Sequence, residues 1–178
     1  MTERPLTERP LPVVRVLRPT DVSPYFALRL ALLRSDPLAY VTTAEEWAGR
    51  RLADVAGRLG MSEHHVTYGA YLGSDLAGIL TLLRESRTGL AHRTEIVSVG
   101  VLPAFRGQGC ADALLRAAIA QARRWEGAEQ IDLSVTETQH AALRLYRRWG
   151  FVTWGVQPGA VRGPDGSLRA LHHLTLKL

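Results

Sequence analysis

Cysteine and lysine are nearly missing from this sequence, and it contains no long apolar run. The lone Cys110 has no partner for an internal disulfide. No Cys/His spacing suits zinc: the pairs His64, His65 and His172, His173 are adjacent, whereas two ligands on one helix face stand three or four residues apart. No structural metal is expected. Without about 18 consecutive apolar residues there is no helix to span a bilayer, and no basic segment followed by an apolar one resembles a signal peptide. A cytoplasmic protein with no membrane partner is the expectation. Lys177 is the only lysine, so nearly all positive charge sits on arginine, scattered among acids and not gathered into a block. The formal net charge of +5 therefore reads as a solvated surface without specific nucleic-acid binding, although a modest positive field favours a polyanionic ligand.

At 178 residues, with 46% hydrophobic and 22% charged residues, the chain has the size and balance of one globular domain. Residues 1–12 repeat "TERPL" and carry three prolines, which reads as a flexible leader before a single domain over 13–178. "PVVRVLR" predicts a strand, and Thr20 and Asp21 offer capping oxygens to a helix through "PYFALRLALLR". Thr43 and Glu46 form a capping box before one further helix, "WAGRRLADVAGRL", ending at Gly60. The period then changes to two in "VTYGAYL" and "LAGILTLLR", a hairpin around Gly73, Ser74 and Asp75. "TEIVSVGV" is a further strand, whose Gly100 marks a bulge or a close backbone approach.

Pro103 ends that strand, and from Gly109 the apolar residues Ala111, Leu114, Leu115, Ala118, Ile119 and Ala122 recur at helical spacing. Strand "IDLSV" follows, so that strand, helix and strand make a right-handed parallel crossover. A helix "QHAALRLYRRW" then presents Ala142, Leu145, Tyr146 and Trp149 on one face and stops at Gly150. Two closing strands from Phe151 to Val156 and from Leu168 to Leu178 join through "GPDGS". The alternating apolar residues of "HHLTLKL" suit completion of this sheet or of a partner's, which leaves a homodimer open.

The chemistry concentrates in "VLPAFRGQGCADALL". Gly107 and Gly109 free the backbone to take positive φ, so that consecutive N–H groups converge at a helix start, and Arg106 adds a full charge. Such a place holds phosphate. A P-loop would need Lys and Ser or Thr where Cys110 and Ala111 stand, and a dinucleotide fingerprint would need a third glycine where Asp112 stands. "RGQGCA" instead resembles the acetyl-CoA signature R/Q-x-x-G-x-G/A of the GCN5-related N-acetyltransferase (GNAT) family, and "VLPAFRGQG" resembles that family's V-x-P-x-x-R-G-x-G. Downstream, "LSVTETQHAALRLYRRWGF" is similar to L-x-V-x-x-x-N-x-x-A-x-x-L-Y-x-x-x-G-F, with Gln139 in place of the usual Asn.

The resemblance implies an α/β (α+β) fold: a mixed, mostly antiparallel central sheet with one splayed parallel pair and helices on both faces. It implies an N-acetyltransferase that moves the acetyl group of acetyl-CoA directly to a primary amine, on a small molecule or on a protein N-terminus or lysine, through a tetrahedral intermediate. A non-catalytic acetyl-CoA or CoA sensor on the same fold is the alternative. By the same resemblance the pyrophosphate lies on Gly107, Gln108, Gly109, Cys110 and Ala111 with Arg106 beside it, the pantetheine arm runs along Val99, Gly100 and Val101, and Gln139, Ala142 and Tyr146 complete the cofactor site. Tyr146 matches the family's general acid and Glu95 a glutamate that can serve as base, while the N–H of Val99 or Val101 polarises the acetyl oxygen. Cys110 reads as a small loop residue. Tyr25, Phe26, Tyr40 and Trp47 fall in the N-terminal helices that wall the acceptor site, and the basic loop of residues 85–93 disfavours a polycationic acceptor.

Overall fold

The computed structural model describes residues 10–178; most of the expected leader, residues 1–9, lies outside the described residues. Seven strands form one sheet: β1 (Val13–Val16), β2 (His65–Leu72), β3 (Asp75–Arg84), β4 (Arg93–Val101), β5 (Gln130–Thr136), β6 (Val152–Arg162) and β7 (Leu168–Lys177), in the order β1-β2-β3-β4-β5-β7-β6. Every pairing is antiparallel except β4 with β5. The helices are α1 (Val22–Ser35), α2 (Ala44–Ala48), α3 (Leu52–Ala56), α4 (Cys110–Ala122) and α5 (His140–Arg148). No helix among the described residues is long and apolar enough to cross a membrane.

Period-two alternation divides the strands between two cores. Val66, Leu80, Leu82 and Ile96 pack with Leu114, Leu115 and Ala118 of α4 and with Leu143 and Tyr146 of α5. Ile79, one residue out of phase, packs with Leu28 and Leu32 of α1, Trp47 of α2 and Val55 of α3. Fully burying a Leu-sized side chain is worth about 1.5–3 kcal/mol, so the two cores clamp the sheet between α4 and α1.

Three local expectations are corrected. The single helix expected over "WAGRRLADVAGRL" is two short ones, because α2 closes at Gly49 and Arg51 adopts an extended conformation before α3. A glycine costs about 1 kcal/mol in a helix interior, and here it marks the break; the Thr43–Glu46 capping box is present as expected. Asp21 does not cap α1 with its side chain. Its carboxylate turns back to accept from the Arg18 N–H at 2.7 Å and from the Arg15 guanidinium at 2.8 Å. Finally, β6 continues past Val156 to Arg162, with a register irregularity around Pro158 and Gly159. A proline is tolerated there because β6 is an edge strand, where its missing N–H breaks no ladder.

Candidate functional site

The parallel pair positions the site by failing to stay paired. β4 and β5 are in register only from Arg93 opposite Gln130 to Glu95 opposite Asp132, and beyond that point they diverge. At the divergence β4 carries an extra residue: Val97 faces Thr81 and Gly100 faces Ile79, so Ser98 and Val99 together stand opposite Leu80. Ser98 takes the left-handed conformation at φ +55°, a strain of about 1–2 kcal/mol for a residue with a Cβ. The inserted residue inverts the alternation. Ile96 packs toward α4, yet so do Val99 and Val101, and Gly100 is turned against Leu32 of α1.

The bulge expected at Gly100 therefore belongs to Ser98, which carries no mark in the sequence. Gly100 supplies the close approach: a Cβ there would collide with the Tyr40 hydroxyl and stand 2.5 Å from Leu32 Cδ1. Tyr40 lies in the loop after α1, not in a helix as expected, and its hydroxyl donates to the Val99 carbonyl at 2.9 Å. Two residues earlier the Leu38 carbonyl accepts from Thr136 Oγ1 of β5 at 2.8 Å. One loop thus straps both diverging strands.

Between the strands opens a cavity of about 330 Å³. It gathers Val99, Gly100, Val101, Arg106, Ala111, Gln139, Ala142 and Tyr146, which the sequence placed in one site, and adds Asp36, Ser98 and Ser134. Gly107, Gln108, Gly109 and Cys110 form the loop and helix start at its end. Gly107 and Gly109 have φ of +73° and +81°, the left-handed backbone that lets neighbouring N–H groups converge. Gly109 is the N-cap of α4 and offers no side chain, so the first-turn N–H groups of Cys110, Ala111 and Asp112 receive no side-chain cap. A loop of this shape, at the positive end of a 13-residue helix, fits a pyrophosphate, and the slot along residues 99–101 fits an extended arm.

Several side chains take roles that the motif did not reveal. Arg106 is paired with Asp36 at the end of α1, and its Nε donates to the Val101 carbonyl at 3.1 Å, which fastens the loop to α1 and β4. Gln108 Nε2 turns back onto the Ala104 carbonyl. Cys110, expected in the loop, is the first residue of α4 and is buried at 1% exposure; burial pushes its thiol pKa up, the opposite of what activates a cysteine nucleophile. Asp112 accepts from Arg148 at 2.7 and 2.9 Å and from Trp149 Nε1 at 2.9 Å, tying the start of α4 to the end of α5.

Tyr146 is buried on α5, edge-on to Phe151 at 5.7 Å, with its ring at the cavity wall. Burial, and to a lesser degree Tyr40 nearby, raise its pKa well above the usual phenol value, so the hydroxyl keeps its proton at any pH an enzyme would meet. Glu95 stands apart from this cavity. It lines an adjoining cleft with Glu85, Arg93 and Asp132. Although it is solvent-exposed, the desolvating walls and then the Asp132 charge raise its pKa against the opposing pull of Arg93. On β5, Ser134 Oγ is 2.9 Å from His173 Nδ1, and that imidazole stacks on Trp154.

The profile of the acetyltransferase (GNAT) family matches residues 30–151. A mycothiol acetyltransferase of Salinispora tropica is 33% identical over 162 residues, covering 84% of this chain and 48% of that protein. The chain thus spans about half the length of the curated relatives it matches. Among solved structures, a GCN5-related N-acetyltransferase from Kribbella flavida superimposes with a TM-score of 0.78 at 23% identity, covering 94% of this chain and 98% of that one. The yncA protein of Salmonella typhimurium, solved with its cofactor acetyl-CoA, superimposes with a TM-score of 0.75 at 21% identity, covering 94% of each chain.

Proposed function

The chain belongs to the acetyltransferase (GNAT) family, and we propose that it is an acetyl-CoA-dependent acyltransferase that transfers acetyl directly to the primary amine of a small molecule. The observation that carries this reading is the convergence in one cavity of Arg106 and Ala111, which flank the glycine loop at the start of α4, the Ser98 bulge where β4 leaves β5, and Tyr146. The names of the curated relatives support a small-molecule acceptor over a folded protein.

Acetyl-CoA bound in the cleft supplies an activated acetyl thioester. The loop of residues 107–111 holds the pyrophosphate on backbone N–H groups, and Arg106, anchored by Asp36, holds the loop in place. The N–H of Val99 or of Val101 is the donor for the acetyl oxygen: Val99 lies in the bulge with its carbonyl fixed by Tyr40, and the Val101 carbonyl is held by Arg106. Tyr146, protonated through the working range, gives its proton to the departing sulfur. Glu95, in the neighbouring cleft, receives the proton of the incoming amine through water, and its raised pKa suits that work better than an ordinary carboxylate would.

The test is thiol release from acetyl-CoA across a panel of primary amines, with Tyr146→Phe beside the wild type. The expected result is turnover with at least one amine, and in the variant a kcat lower by roughly 100-fold with acetyl-CoA affinity within a few-fold. An unchanged kcat removes Tyr146 from the chemistry. Binding of acetyl-CoA without turnover of any amine points instead to a non-catalytic CoA-binding module.

A further inference from the structure

A second cavity, of about 460 Å³, opens on the α1–α3 side of the sheet and meets the cofactor cleft at Ser98, which lines both. Its walls include Tyr25, Trp47, Arg50, Arg58, His64 and His65, and not one carboxylate. The arginines here are also without counter-ions. Seven ion pairs occupy other arginines among the described residues, and none involves Arg29, Arg50 or Arg58.

Arg29 is the most telling of the three. It is 6% exposed, and its buried Nη1 has no hydrogen-bond partner. Its guanidinium lies 4.5 Å from the centre of the Tyr40 ring and 5.9 Å from that of Trp47, so it sits behind the wall between the two cavities. The Arg50 guanidinium also lies over Trp47, 5.2 Å from the ring centre. His65 also has a buried Nε2 without a partner. A buried cation with unused donors is costly unless something anionic compensates it. Carboxylates collect instead in the adjoining cleft, with Glu85, Glu95 and Asp132, across His64 and Leu83, which both spaces share.

We propose that the acceptor is a small zwitterion: an amine carrying its own anionic oxygen group, carboxylate or phosphate, seated on Arg50 and Arg58 with Arg29 reinforcing the field behind them. The amine then points toward Ser98 and the Glu95 cleft, and the anionic group toward the arginines. This rests on the reading of the chain as an amine acetyltransferase, and it adds the chemical class that the site selects. It excludes polyamines and lysine-rich peptides, whose further positive charges would meet Arg50 and Arg58.

The test compares matched acceptors by thiol release at saturating acetyl-CoA: amino acids against their carboxamides, and aminoalkyl phosphates against the corresponding amino alcohols. The anionic member of the favoured pair is expected to have a kcat/KM higher by about tenfold or more, expressed mainly in KM. Which pair shows the effect tells carboxylate from phosphate. Arg50→Gln and Arg58→Gln, both exposed substitutions, are expected to shrink the preference to a few-fold. Neutral analogues used as well as anionic ones, or a preference untouched in both variants, would overturn the proposal. Should no amine release thiol, the acetyltransferase reading falls, and calorimetry on the CoA-loaded protein decides the inference separately. Tighter binding of N-acetyl amino acids than of their carboxamides, lost in Arg50→Gln, upholds the anion site; equal binding sinks it.

Discussion

Replacing Gly100 by alanine is a severe perturbation for one methyl group. Gly100 sits where β4 resumes its ladder after the bulge, and the new Cβ would collide with the Tyr40 hydroxyl and stand 2.5 Å and 3.1 Å from the two Leu32 methyls. Neither neighbour can yield cheaply. Leu32 is fully buried in the α1 core, and the Tyr40 hydroxyl is the donor that satisfies the Val99 carbonyl at 2.9 Å. Overpacking of this kind costs about 1–3 kcal/mol, and an orphaned carbonyl costs about 1–3 kcal/mol more. Against these, alanine regains up to about 1 kcal/mol by stiffening the unfolded chain. We expect a net loss of roughly 2–4 kcal/mol in urea unfolding followed by circular dichroism, equivalent to a fall of about 4–16 °C in Tm, together with weaker acetyl-CoA binding because Val99 borders the slot. The cause is separable from general damage. In a Tyr40→Phe background the hydroxyl is absent, so Gly100→Ala should cost at least 0.5 kcal/mol less, a non-additivity expected of groups in contact. Stability of Gly100→Ala within about 0.5 kcal/mol of wild type, or full additivity with Tyr40→Phe, would refute the close-approach account.

Further outcomes follow from the charged groups. Because Glu95 titrates above the ordinary carboxylate range and acts as a base only when ionised, kcat/KM should fall as pH drops through its raised pKa; Glu95→Gln should abolish that acid limb in a pH–rate profile. Asp21 is held at about 2 by the hydrogen bonds from Arg15, against 3.8 for a free side chain. Its contribution, about 1 kcal/mol after discounting for the half-exposed Arg15, is complete above pH 4 and disappears as pH falls toward 2. Asp21→Asn should therefore narrow the stability gap between pH 5 and pH 2.5 in denaturant titrations. Asp112 is held below its ordinary value because its bonds to Arg148 and Trp149 outweigh the opposing effect of burial. Asp112→Ala should raise the Kd for acetyl-CoA several-fold in calorimetry, through loosening of the α4 start against α5, with a smaller change in kcat.

The sequence disclosed what repeats or follows a motif, and concealed what depends on distant neighbours. The hairpin of β2 and β3, the β4–α4–β5 crossover and the left-handed glycines at 107 and 109 were legible because alternation, helical period and glycine spacing are local signals. Ser98 was not legible. Nothing about a serine announces a positive φ, and its bulge is set by the pairing of β4 with β3, which no short window contains. The pairing of Arg106 with Asp36, 70 residues apart, and the strap from Tyr40 to Val99 are tertiary facts of the same kind. The break between α2 and α3 escaped because a helical apolar pattern runs straight through Gly49 and Arg51, where the backbone departs from it.

Amide chemical-shift mapping during an acetyl-CoA titration reads the backbone donors of the cofactor cleft themselves. Saturating shifts are expected in two separate groups, Gly107, Gly109, Cys110 and Ala111 at the start of α4 and Val99 and Val101 in the bulged end of β4, with one common Kd. Shifts confined to other surfaces, or a response in the glycine loop with none along β4, would contradict the assignment of both groups to one cofactor cleft.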